Sequence, residues 1–122
     1  MKKSILLVDD FENTLFVTAF TLERFGYNIF KAESGKKALE ILKSNKDIDL
    51  IITDYNMPEM NGLQFVEKVK TLTQNRSLPI FILSTEAKEE IKKAANNAGV
   101  TLWIKKPFKS DQLLEYIKKT IG

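Results

Sequence analysis

The chain predicts an α/β fold built from five successive βα units, a doubly wound five-stranded parallel sheet with helices on both faces. Short apolar, β-branched-rich runs alternate with helical patterns from one end of the 122 residues to the other. Runs such as Ile80-Phe81-Ile82-Leu83 are continuous rather than alternating, which suits strands buried on both faces. The punctuation agrees: Gly26 and Gly99 fall where helices should stop, Ser34 and Ser110 where helices should start.

The first strand, at about 4–9, rests on Ile5-Leu6-Leu7-Val8. The helix after it, at about 12–25, presents Leu15, Ala19, Leu22 and Phe25 at helical spacing. A second strand at about 28–32 leads past Ser34 into a helix at about 35–45. Leu50-Ile51-Ile52-Thr53 marks a third strand at about 49–53, and Leu63, Val66, Val69 and Leu72 mark a helix at about 62–73. The fourth strand is expected at about 79–84. Its helix, at about 86–98, offers Ile91, Ala94, Ala95 and Ala98, a thin apolar side with one large residue. The fifth strand at about 100–105 precedes a helix at about 110–121 carrying Leu113, Leu114, Ile117 and Ile121. No linker or low-complexity stretch interrupts the series. A single domain over residues 1–122 is therefore expected, with its output made by its own surface.

Composition narrows the chemistry. With 43% hydrophobic and 29% charged residues the chain is globular. No apolar run approaches the ~20 residues of a membrane span, and Asp9-Asp10 ends the first run too early for a signal peptide. A cytoplasmic protein is expected, without membrane contact. The absence of cysteine excludes disulfides and thiolate chemistry, and the absence of histidine excludes a Ser-His-Asp triad and an imidazole metal site. Neither the dinucleotide fingerprint nor the P-loop pattern is present. The net charge of +3 sits entirely in residues 84–122, which read either as a solvated lysine-rich surface or as a docking face for an acidic partner. Nothing resembles a nucleic-acid recognition helix or stacking sheet.

What remains is carboxylate, hydroxyl and lysine chemistry at strand ends. Asp9 and Asp10 follow the first strand, Asp54 the third, Ser84 ends the fourth, and Lys106 follows the fifth. In open parallel sheets ligands bind beyond the carboxyl ends of the strands. Each residue alone has a plain reading, as a helix-start aspartate, a strand-end serine or a surface lysine. Together, three carboxylates repel one another by about 4 kcal/mol per pair at ~4 Å and an effective dielectric near 20. A divalent cation relieves that repulsion, and Mg2+, a hard ion taking carboxylates and phosphate oxygens, suits the inventory. Asp54 is then placed to act as a nucleophile on phosphorus, with Lys106 and Ser84 facing phosphoryl oxygens.

The segments Leu7-Val8-Asp9-Asp10-Phe11, Thr53-Asp54-Tyr55-Asn56-Met57-Pro58-Glu59-Met60-Asn61-Gly62, Leu83-Ser84-Thr85-Glu86-Ala87-Lys88 and Lys106-Pro107-Phe108 resemble response-regulator receiver domains, most of all the single-domain chemotaxis regulators. The resemblance runs the whole chain. It implies a flavodoxin-like strand order 2-1-3-4-5. It makes Asp54 the phosphoacceptor, with Mg2+ arranged by Asp9, Asp10, Asp54 and the backbone carbonyl of Asn56, and with Ser84 and Lys106 holding the phosphoryl group. It implies a cis bond at Lys106-Pro107, a switch joining Ser84 to the aromatic at Trp103, and a phosphoryl lifetime tuned by Asn56 and Glu86. Trp103 stands where Tyr or Phe is usual, and Asn61 where Asp is more frequent. The phosphodonor would be a histidine kinase. The readout face would be helix four, strand five and helix five, acting on a protein target such as the flagellar motor switch, with the chain a monomer. Two other readings stay open: a phosphorelay shuttle to a histidine phosphotransferase, and a phosphorylation-independent interaction module. An aspartate-nucleophile phosphatase is disfavoured because Asn56 replaces the acid such enzymes place two residues after the nucleophile.

Overall fold

The computed structural model describes residues 2–74, 76–86 and 88–122. Ten elements alternate: β1 (Ser4–Val8), α1 (Glu12–Arg24), β2 (Asn28–Ala32), α2 (Gly35–Ser44), β3 (Leu50–Asp54), α3 (Gly62–Leu72), β4 (Ile80–Ser84), α4 (Glu89–Asn97), β5 (Leu102–Lys105) and α5 (Ser110–Ile121). All strand pairs are parallel and the order is β2-β1-β3-β4-β5.

The continuous apolar strands feed two cores. Ile5 and Leu7 of β1, Leu50 and Ile52 of β3, and Phe81 and Leu83 of β4 face α1 and α5, where they meet Leu15, Ala19, Leu22, Leu113, Leu114 and Ile117. The intervening residues Leu6, Val8, Ile51, Ile80 and Ile82 face α2, α3 and α4, meeting Ala38, Leu42, Phe65, Val66, Val69 and Ala95. The period-2 alternation of a strand thus divides one apolar run between two layers.

The glycines behave as the pattern requires. After α1, the N–H of Gly26 bonds Glu23 and that of Tyr27 bonds Leu22; after α4, Gly99 bonds Asn96 and Val100 bonds Ala95. Both are Schellman endings, with Gly26 at φ 95° and Gly99 at φ 96°, where a side chain would be strained. At the other ends, Ser34 Oγ caps α2 by accepting from Lys37 N–H, and Asn61 with Gln64 forms a reciprocal capping box on α3.

Four expectations need correction. Phe25 is exposed, because the left-handed turn at Gly26 sends Tyr27 into the core instead. On α3 the buried face is Phe65, Val66 and Val69, with Leu63 half-buried and Leu72 in the last turn exposed. Helix α5 is entered through Lys109, so Ser110 is its first helical residue and caps nothing. Helix α4 begins at Glu89 rather than 86, since side chains compete for the backbone there: Ser84 Oγ accepts from Glu86 N–H and Glu86 Oε1 from Lys88 N–H. Ala87, inside the expected helix, lies outside the described residues. As anticipated, α4 is thinly anchored; only Ala95 is fully buried.

Candidate functional site

The strand order reverses between β1 and β3; β3 ends in Asp54, and Asp9 and Asp10 directly follow β1. Asp9 N–H still bonds Ala32 at 3.1 Å, one step beyond the β1–β2 ladder, while Asp9 Oδ1 turns to accept from Phe11 N–H at 2.9 Å and leads into α1. Because the chain has left the strand by then, the consecutive Asp9 and Asp10 reach one site together with Asp54. A carboxylate oxygen from each lies within 4.8 Å of the others.

Asp54 is the last residue of β3 and is 5% exposed. Its backbone is held tightly. Thr53 Oγ1 donates to the Asp54 carbonyl at 3.0 Å, and Tyr55 N–H bonds Leu83. Gly62 N–H bonds Tyr55 at 2.7 Å, and α3 starts so close that a Cβ on Gly62 would sit 2.7 Å from the Asp54 carbonyl oxygen. The peptide bond between Lys106 and Pro107 is cis, as the resemblance implied. Lys106 Nζ lies 2.5 Å from Asp54 Oδ1, an ion pair made at a buried carboxylate oxygen. Burial first, and Asp9 second, push the Asp54 carboxyl up to about 7 against the opposing pull of Lys106.

Ser84 closes β4 next to this group. Its register neighbour on β5 is Lys105, and its carbonyl accepts from Lys106 N–H at 2.8 Å. The side chain is buried and accepts from Glu86 N–H at 2.9 Å. Asn56 lies exposed in the loop after β3, and Glu86 half-buried in the loop after β4. Trp103 stands apart from the acids. Its indole Nε1 donates to the Glu86 carbonyl at 3.2 Å, and its ring is tilted against Tyr55 with centroids 5.5 Å apart. Asn61, which caps α3, and Gly62, which lies against the Asp54 backbone, also shape the site. The Asn61-x-x-Gln64 spacing carried a capping-box signal, whereas nothing local announces the approach of Gly62 to Asp54.

A family model for the response regulator receiver domain matches residues 5–118. This chain belongs to that family. Chemotaxis protein CheY1 of Helicobacter pylori is 39% identical over 119 residues, covering 97% of this chain and 96% of the other. A chemotaxis protein CheY homolog of Campylobacter jejuni is 37% identical, covering 97% and 92%. Among solved structures, chemotaxis protein CheY4 of Vibrio cholerae superposes with TM-score 0.92 at 33% identity, covering 99% of this chain and all of the other. A receiver domain protein from Clostridium thermocellum gives 0.90 at 28%, covering 98% and 94%. Receiver domains are signalling proteins that bind Mg2+ at an acidic pocket, and the residues here fit that ion. The donors are all oxygen, and Asp10 Oδ1 is buried without a protein partner.

Proposed function

We propose that this receiver is a phosphoaccepting switch of a two-component system, loaded on Asp54 by a histidine kinase. The observation that carries the reading is one buried carboxylate, Asp54, paired with Lys106 and clustered with Asp9 and Asp10 at the strand-order reversal. Asp9, Asp10, Asp54 and the Asn56 carbonyl would hold Mg2+, which when bound neutralises the crowded carboxylates and the phosphoryl oxygens.

In the transfer, a carboxylate oxygen of Asp54 attacks phosphorus in line with the phosphohistidine P–N bond. The P–O bond forms as the P–N bond breaks, and the imidazole leaves with the electron pair and takes a proton from water. Lys106 holds a compact positive charge against the phosphoryl oxygens, and the Ser84 hydroxyl donates to another. Phosphate leaves again when water attacks phosphorus and releases the Asp54 carboxylate. The chain thus promotes its own loading and unloading without turning over a substrate.

The readout is a shift of the α4–β5–α5 face toward a protein target in the cytoplasm. The chemotaxis names of the relatives favour flagellar motor control as the output over a phosphorelay shuttle. The thin anchorage of α4 supports a two-state element there.

Incubation with acetyl phosphate and Mg2+ tests the reading by intact mass. A single, magnesium-dependent, hydrolysable phosphoryl adduct is expected, absent from Asp54→Asn. No adduct with acetyl phosphate or with a phosphorylated kinase would leave the phosphorylation-independent module standing.

A further inference from the structure

Most of the exposed large apolar side chains among the described residues lie on one element or flank it: Phe16, Val17 and Phe20 on α1, with Phe11 and Phe25 just outside its two ends. On a 3.6-residue helix, Asn13, Val17, Phe20 and Arg24 follow at four, three and four residues, the spacing of a helix–helix seam. Phe16 flanks that seam. The stripe points away from the core side chains Leu15, Ala19 and Leu22, and Phe16, Val17 and Phe20 are 63%, 66% and 61% exposed. Nothing within the fold accounts for this; a solvated face of α1 needs no phenylalanine.

We propose that this stripe is a self-docking surface, pairing α1 of two copies in antiparallel register about a two-fold axis between Val17 and Phe20. The charges on the helix choose the second copy and its direction. The first turn is acidic at Glu12 and the last basic at Arg24. Antiparallel pairing sets Arg24 of each copy beside Asn13 and Glu12 of the other, twice by symmetry, and opposes the helix dipoles favourably. Parallel pairing would set Arg24 against Arg24 and Glu12 against Glu12. The cations already lie along the aromatic faces, Arg24 at 6.0 Å from the Phe20 centroid and Lys31 at 4.7 Å from that of Phe16, and can keep those positions at the rim.

The stripe offers roughly 350–450 Å² of apolar surface per copy, taking aromatic side chains at 150–250 Å² each. A stable complex buries about 800 Å² per partner. The pair is therefore weak and concentration-dependent, with half-association at roughly 10–500 µM, and the expected monomer holds below that range. Since α1 starts beside Asp9 and Asp10, the paired state also narrows the approach of a protein phosphodonor.

The chain has no cysteine, so single cysteines report the register. Mixing Asn13→Cys with Arg24→Cys under mild oxidation should give a covalent dimer severalfold above either variant alone. Sedimentation velocity of the wild type should show weight-average mass rising between about 10 µM and about 1 mM. Phe20→Asp should abolish that rise while labelling by acetyl phosphate stays unchanged, which also shows that the variant is folded. A constant monomer mass up to about 1 mM overturns the proposal, and so does equal cross-linking of like with like. Loss of transfer from a protein donor in Phe20→Asp, with a wild type that never self-associates, overturns it in favour of the donor as occupant.

Discussion

Asp54 closes β3 and Lys106 directly follows β5, with β4 between the two strands, yet Nζ and Oδ1 meet at 2.5 Å. The lysine reaches across the end of β4 to a carboxylate whose charged form burial disfavours and the lysine favours. Removing it should hurt chemistry more than folding. Lys106→Gln is expected to slow labelling by acetyl phosphate about 100- to 1,000-fold, the usual scale for one electrostatic contact to a reacting group. Labelling kinetics by intact mass measure it, and an unchanged rate would remove Lys106 from the site.

The same crowding makes a pH prediction. Asp54 is pushed up to about 7 in the folded chain, whereas an unfolded aspartate titrates near 3.9. Between those values the folded state binds more protons, so Asp54 lowers stability progressively as pH rises from about 4 to about 7, and by a constant amount above that. In chelator, Asp54→Asn should therefore be more stable than wild type at pH 8, by about 1–3 kcal/mol after discounting for solvent screening. The gap should close toward pH 4. Urea unfolding of both proteins across that range is the measurement; a gap that does not change with pH would assign the shift elsewhere.

Much of this was legible in sequence because strands and helices here obey their own periods. Asp9, Asp10 and Asp54 could be placed together once Val8 gave way to two acids after a buried strand. What escaped depended on tertiary direction. Phe25 fits the helical face on paper, but the turn at Gly26 hands its place to Tyr27. Helix α4 starts later than its apolar spacing suggests because Ser84 and Glu86 satisfy backbone N–H groups that a helix would otherwise use. Trp103, set among strand residues, gave no sign that its indole would bond a loop carbonyl.

Gly62 is a second case of information held only in three dimensions. A methyl group there would press on the Asp54 carbonyl and the Tyr55 Cα at 2.7 and 2.9 Å, both backbone atoms that cannot yield. Gly62→Ala should cost about 1–3 kcal/mol by overpacking and slow phosphorylation as well. Gly26→Ala, with open space but φ 95°, should cost about 1 kcal/mol and leave labelling intact. Equal labelling rates in the two variants would separate Gly62 from the site.

The lysine-rich third of the chain bears on the output partner. Lys88 and Lys119 are exposed and Lys92 half-buried; Lys92 pairs loosely with Glu89 at 4.0 Å and Lys119 with Glu115 at 3.2 Å, surface contacts worth little. Their charges remain available to an acidic segment. Charge reversal at all three should weaken binding of the phosphorylated chain to its target at least roughly tenfold, mainly through association rate, and the loss should shrink in high salt. Affinity unchanged by reversal would return the lysines to plain solvation.

Trp103 touches two segments that border the phosphoacceptor: its ring leans on Tyr55, the residue after Asp54, and its indole N–H holds the carbonyl of Glu86, whose own N–H bonds Ser84. Ser84 turning toward a phosphoryl oxygen would pull on that loop, and a phosphoryl group on Asp54 would press on Tyr55. As the only tryptophan, Trp103 should report both. Emission is expected to change on magnesium-dependent phosphorylation and to return as the adduct hydrolyses. Ser84→Ala should keep the part of the change that travels through Tyr55, while Tyr55→Leu should keep the part that travels through Glu86. A signal untouched in either variant would assign the whole change to the other route, and a silent tryptophan in a phosphorylated wild type would remove Trp103 from the switch.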